Sequence, residues 1–205
     1  MSSFWPSAPD VGPGARATTI LTNLQRGNVP TQNISSVRSV DVYQRAGQGD
    51  LDNNDIDCWL RETGGDINLP DVHGFTMLMW AAAYGQTPTV QLLLNRGASI
   101  NCRGLEEETA LHLAASCGCI ELITLILKHG AFVDTEDENG CTPLMFAAMK
   151  NHPHVVNELL AHNADITRRN INDDTAYSLA VRNGARLAQT VIEHSIISVM
   201  EKSQF

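Results

Sequence analysis

Apolar positions in residues 41–205 fall at helical spacing, and the helical pattern itself recurs. Val90, Leu93 and Leu94 make one stripe, Ile123, Ile126 and Leu127 a second, and Val155, Val156, Leu159 and Leu160 a third. Each follows the i, i+3, i+4 spacing of one helix face. A shorter apolar run with paired alanines precedes each stripe: Ala81-Ala82, Ala114-Ala115 and Ala147-Ala148. The step between copies is constant. Thr76, Thr109, Thr142 and Thr175 lie 33 residues apart, and Leu78, Leu111, Leu144 and Tyr177 keep the same interval. So do Leu93, Ile126, Leu159 and Ile192, as well as Asn68, Asn101 and Asp134. A period of this length signals stacked supersecondary units. It predicts an all-α solenoid of about five helix-turn-helix repeats, at roughly 41–70, 71–103, 104–137, 138–170 and 171–205.

Each part of the repeat has a physical job. The recurring Thr precedes a helical run and suits an N-cap, with Pro143 in the first turn, where a missing N–H costs nothing. Paired alanines keep the first helix thin. Gly97 and Gly130 follow the second helix, where a left-handed residue ends it. One hairpin cannot bury its apolar face, but a stack can. The end repeats deviate. Gly49 to Gly85 is 36 residues, which predicts a longer inter-helix segment over Asp50–Asp57. In the last repeat Val191, Ile192, Ile196, Ile197 and Met200 extend the second helix, which is expected to close the apolar end of the stack.

Residues 1–40 lack the period. Four of the eight prolines (6, 9, 13 and 30) fall there, and this stretch is expected to be mostly disordered. The formal net charge is −9; residues 1–40 hold three Arg against one Asp, a net +2, leaving −11 for the rest. An acidic body is a poor partner for a phosphate backbone, so no direct nucleic-acid binding is expected. The N-terminus shows no signal-peptide pattern, and no apolar run suggests membrane insertion. The five cysteines (58, 102, 117, 119 and 141) are expected to be reduced and structural. Cys117-Gly-Cys119 lacks a zinc-ribbon gap and a second pair, so no metal or other cofactor is expected. The histidines stand apart from any nucleophile, and no phosphate-binding glycine loop occurs. No catalytic residue is assigned, and the chain is expected not to be an enzyme.

Asn139-Gly140-Cys141-Thr142-Pro143-Leu144-Met145-Phe146-Ala147-Ala148 and Thr109-Ala110-Leu111-His112-Leu113-Ala114-Ala115 resemble the ankyrin-repeat pattern. More specific segments are similar to the ankyrin adaptors associated with regulatory factor X (RFX) and their relatives in ankyrin repeat family A. These are Thr18–Asn28, outside the repeats, and Gly74-Phe75-Thr76-Met77-Leu78-Met79-Trp80-Ala81. Asn139–Ala147 followed by Asn151-His152, and Val191-Ile192-Glu193, add to them. The resemblance covers the chain from about residue 17 to the end. It implies a non-enzymatic adaptor, a transcription-regulatory subunit of nucleus and cytoplasm. Its groove would bind extended P-x-L-P-x-[IL] peptides of RFX-type transcription factors or class IIa histone deacetylases. It would act as a monomer within a hetero-complex, with 17–28 as a docking segment for a second subunit. Two alternatives stay open: a cytosolic adaptor for receptor tails, and an ankyrin-type inhibitor of a folded partner.

By repeat position, the groove is expected to include Phe75, Met79 and Ala83, then Glu108, His112 and Ser116, then Cys141, Met145 and Met149. Trp80 and Phe146, two repeats apart, correspond to the family's aromatic positions and would anchor an apolar ligand. The carboxylates of Asp71 and Glu108 would accept N–H bonds from its backbone. Core packing is the competing role for Trp80 and Phe146, and fastening of its own turn the competing role for Asp71. Family positions have changed at Glu107, Glu138 and Phe146, where the related proteins have Arg, Trp and Tyr. With Glu106, Glu108, Asp134, Glu136 and Asp137, the new carboxylates make adjacent turns acidic.

Overall fold

The computed structural model describes residues 42–202. The expected disorder of 1–40 and the motif at 17–28 lie outside the described residues. Among these, ten helices and no strand are present. They form five consecutive pairs: α1 (42–48) with α2 (Asn53–Glu62), α3 (Met77–Ala83) with α4 (Thr87–Asn95), and α5 (Ala110–Cys117) with α6 (Ile120–Lys128). Then follow α7 (Pro143–Met149) with α8 (Pro153–Ala161) and α9 (Ala176–Arg182) with α10 (Arg186–Lys202). First helices α3, α5, α7 and α9 pack on one another in order, and second helices α4, α6, α8 and α10 do the same alongside. Extended finger turns join each pair to the next.

The periodic residues explain the stack. Ala81, Ala82, Ala114, Ala115, Ala147, Ala148 and Ala180 are fully buried in the first-helix layer, where small side chains let helices approach closely. Val90, Leu93, Leu122, Ile123, Ile126, Val155, Val156 and Leu159 fill the space behind them. Each large side chain there stabilises the fold by about 1.5–3 kcal/mol through removal from water.

The recurring Thr stands at the N-cap of α3, α5, α7 and α9, always with extended backbone. Its hydroxyl does not act uniformly. Thr76 accepts from the Met79 N–H at 3.3 Å, and Thr175 exchanges bonds with Ser178. Thr142, expected to cap through its hydroxyl, makes no such bond, and its Oγ1 is buried without a partner. The Met145 N–H, which a capping hydroxyl would serve, donates to the Thr142 backbone carbonyl at 3.0 Å instead.

Polar side chains fasten one repeat to the next. Asn68 accepts the Ser99 N–H at 2.7 Å, Asn101 that of Phe132 at 3.3 Å, and Asp134 that of Asp165 at 3.0 Å. Neighbouring fingers also bond directly, Glu138 N–H to the Glu106 carbonyl at 2.9 Å and Ile171 N–H to that of Asn139 at 3.0 Å.

Both ends differ from the middle. The inter-helix segment expected over Asp50–Asp57 ends at Asp52, because Asp52 and Asp55 form a reciprocal capping box that starts α2 at Asn53. At the other end, α10 runs 17 residues. Its Ile192 is buried, Val191 and Ile196 are half-buried, and Ile197 and Met200 are exposed. Tyr177 of α9 and Gln189 of α10 both donate to Glu193, at 2.9 and 2.8 Å, tying the last two helices together. No helix among the described residues is long and apolar enough to cross a membrane.

Candidate functional site

The fingers and first helices present a continuous face. In the second repeat this face is aromatic. Phe75 meets the Trp80 ring edge-on with centroids 5.8 Å apart, and Trp80 stacks on Tyr84 at 6.0 Å and 7°. All three are half-buried, so each is wedged in place yet keeps surface to offer. Gly47 lies behind them: a Cβ there would stand 3.0 Å from the Tyr84 ring, so a larger residue would push the shelf outward. Tyr84 was not among the expected contacts. Its position four residues after Trp80, on the same helix face, is the signal that marks it.

Asp71 is the strut of this shelf. One carboxylate oxygen accepts the His73 and Phe75 N–H groups, each at 2.9 Å, and the other accepts the Trp80 indole N–H at 2.9 Å. It therefore orients the aromatic residues, and its capacity for ligand N–H bonds is largely spent.

The expected contacts at Met79, His112 and Met145 occupy one repeat position, and all three are buried between helices. They back the face and do not reach its surface. Trp80 and Phe146, the residues after Met79 and Met145, stand about 100° further round the helix and are half-buried, whereas Leu113 after His112 is buried. Ser116 and Cys141 are buried too, and Ala83 is half-buried.

His112 links two repeats. The Thr109 N–H can only donate, so Nδ1 accepts it at 3.1 Å; the ring proton then sits on Nε2 and is given to the Cys141 carbonyl 3.0 Å away. Burial in this setting pushes the His112 pKa down to about 4. Phe146 lies edge-on to the His112 ring, with centroids 5.4 Å apart. Phe146 and Met149 are half-buried on the fourth repeat, and Glu108 is half-buried on the third.

Electrostatics change along the face. Burial pushes the carboxyls of Glu108 and Asp137 above their ordinary values, and the neighbouring Glu106 charge adds to both shifts. The cysteines are all free thiols. Burial raises the pKa of Cys117 and Cys141, which holds both as protonated, weakly nucleophilic thiols.

This architecture matches the family model for ankyrin repeats (3 copies) over residues 48–137, 78–170 and 130–202. The chain belongs to the ankyrin-repeat family, whose members work by binding other proteins. It is similar to the human DNA-binding protein RFXANK, 40% identical over 92 residues that cover 45% of this chain and 35% of that protein. The mouse counterpart is 36% identical over 119 residues, covering 47% of this chain and 44% of that protein. Human ankyrin repeat family A protein 2 is 40% identical over 86 residues, covering 40% of this chain and 26% of that protein. The chain thus spans less than half the length of these curated relatives.

Proposed function

We propose that this protein is a transcription-regulatory adaptor whose finger-and-helix groove binds extended peptides of the P-x-L-P-x-[IL] type. The observation that carries the reading is the half-buried shelf of Phe75, Trp80 and Tyr84, held by Asp71. An apolar side chain laid on a rigid aromatic surface loses water contact at little entropic cost, which is how peptide grooves obtain most of their affinity. Phe146 and Met149 extend the apolar surface two repeats further on. RFX-type transcription factors and class IIa histone deacetylases are the proposed partners, in nucleus and cytoplasm, with this chain as one copy in a hetero-complex. The net charge of −11 beyond residue 40 favours contact with DNA through a partner over direct contact. Similarity to ankyrin repeat family A protein 2 supports a second reading, a cytosolic adaptor for receptor tails that uses the same groove. Fractionation and partner identity separate the two.

Fluorescence polarisation with a labelled P-x-L-P-x-I peptide tests the groove. Micromolar or tighter binding by the native chain should fall at least about tenfold in Trp80→Ala, the loss expected of a central anchor. Phe146→Ala should weaken binding less, and circular dichroism checks that both variants stay folded. No binding by the folded native chain would refute the reading.

A further inference from the structure

The finger of the third repeat is held differently from its neighbours. In the second, fourth and fifth repeats an Asx side chain accepts the N–H groups two and four residues on. Asp71 takes those of His73 and Phe75, Asp137 those of Asn139 and Cys141, and Asn170 those of Asn172 and Asp174. The third repeat has Gly104 at this position. Glu108 folds back into the space: a Cβ on Gly104 would stand 2.6 Å from Glu108 Oε1. Its carboxylate is bonded by the backbone N–H groups of Glu106 and Glu108 itself. One oxygen replaces the missing Asx; the other, Oε2, is buried and has no hydrogen-bond partner.

A buried acceptor left without a donor is uncommon in folded proteins, and the surroundings of this one are acidic. Glu106 and Asp137 lie close enough to raise its pKa. The nearby cations are engaged elsewhere, Arg103 by Glu107 and the Glu136 carbonyl, and Arg168 by Glu136 and Asp165. Among the described residues, no ion pair reaches Glu106, Glu108 or Asp137, and no cluster of three His, Cys, Asp or Glu suits a metal ion. Ionised carboxylates only accept, so what completes this stretch must donate, and a positive charge would complement it best.

We propose that the segment bound on the aromatic shelf carries a Lys or Arg whose charged head enters between the third and fourth fingers and pairs with Glu108. Glu106 and Asp137 add to the attraction. Neighbouring helices lie about 8–10 Å apart and an extended chain advances about 3.3 Å per residue. Between the third and fourth fingers, one and a half such spacings on, the basic residue therefore stands about four residues from the apolar side chain on Trp80. The groove thus selects an apolar-and-basic segment over a purely apolar one. This inference rests on the groove-binding reading above.

The test uses the full chain and labelled P-x-L-P-x-I peptides in which a single Arg is moved through the variable and flanking positions, each paired with its Gln equivalent. One Arg position should bind about threefold to tenfold tighter than its Gln equivalent, and the gain should shrink as salt rises. In Glu108→Gln the Arg-to-Gln affinity ratio should fall to about one, whereas Glu121→Gln, exposed on the outer helix layer, should leave it unchanged. Tight binding of the neutral peptides with no gain from Arg at any position would overturn the inference while leaving the groove reading intact. A gain that survives in both Glu108→Gln and Glu106→Gln would overturn it as well. Failure of every peptide to bind would remove both.

Discussion

The second and third repeats share a backbone and differ in chemistry at three equivalent positions. At the head of the finger the second has Asp71, whose carboxylate is consumed by its own turn and by the Trp80 indole. The third has Gly104 and borrows the carboxylate of Glu108, with one oxygen to spare. Between the helices the second has Met79, an apolar filler, where the third has His112, bonded to Thr109 and to Cys141 of the next repeat. On the surface Trp80 faces outward where Leu113 is buried. One fold unit thus yields an apolar, neutral subsite and a polar, acidic one. The scaffold needs only the capping Thr, the thin alanines and the second-helix stripe, so the remaining positions are open to function.

The largest expected contrast is between the two buried inter-helix residues. His112→Leu strands the buried Thr109 N–H, at about 1–3 kcal/mol, and takes one of its two donors from the Cys141 carbonyl, which keeps the Asp137 N–H at 3.0 Å. Met79→Leu conserves volume and polarity and should cost less than about 1.5 kcal/mol. Urea unfolding followed by circular dichroism at pH 7 compares them; equal losses would mean that the His112 bonds contribute little.

Acid should expose the same difference. The folded His112 pKa is lowered to about 4 from 6.5. The unfolded chain therefore binds more protons between these values. Stability from this residue is complete above pH 6.5 and is lost as pH falls toward 4, by at most about 1.4 kcal/mol per pH unit. Glu108 and Asp137, with raised pKa values, act in the opposite sense. Their protonated forms favour the fold below the unfolded carboxyl pKa, and that contribution fades as pH rises through the folded one. The gap between native and His112→Leu stability should therefore narrow from pH 7 to pH 4.5, and a constant gap would contradict the assignment.

The smallest effect is a change of sign. Asp71→Asn keeps one acceptor for the finger N–H groups but puts an NH2, which cannot accept, against the Trp80 indole N–H; it should destabilise by about 1 kcal/mol. Glu108→Gln keeps an acceptor for the finger and removes a charge repelled by its neighbours. It should stabilise by about 0.5 kcal/mol at pH 7 and low salt, and the same urea midpoints read both variants.

Much of this was legible in the sequence because the period repeats the same physics. A Thr every 33 residues, paired alanines and a branched stripe leave one way to bury the apolar surface. The start of α2 was not anticipated because the Asp52–Asp55 box interrupts an otherwise acidic, loop-like run. Met79, His112 and Met145 were placed on the surface because a position within the repeat does not reveal which side of a short helix its neighbour covers. Trp80 stood out through its departure from the general ankyrin pattern. The role of Glu108 depended on the side chain missing at Gly104, a relation between two residues that neither shows alone.

The most direct test of where a ligand sits is a titration of 15N-labelled protein with an unlabelled P-x-L-P-x-I peptide, following the indole N–H resonances. Trp80, on the shelf and bonded to Asp71, should shift saturably along with the finger amides of the second and third repeats. Trp59, buried in the first repeat, should stay in place. Saturable binding that left Trp80 and those fingers unmoved, or moved the outer helices instead, would contradict the account.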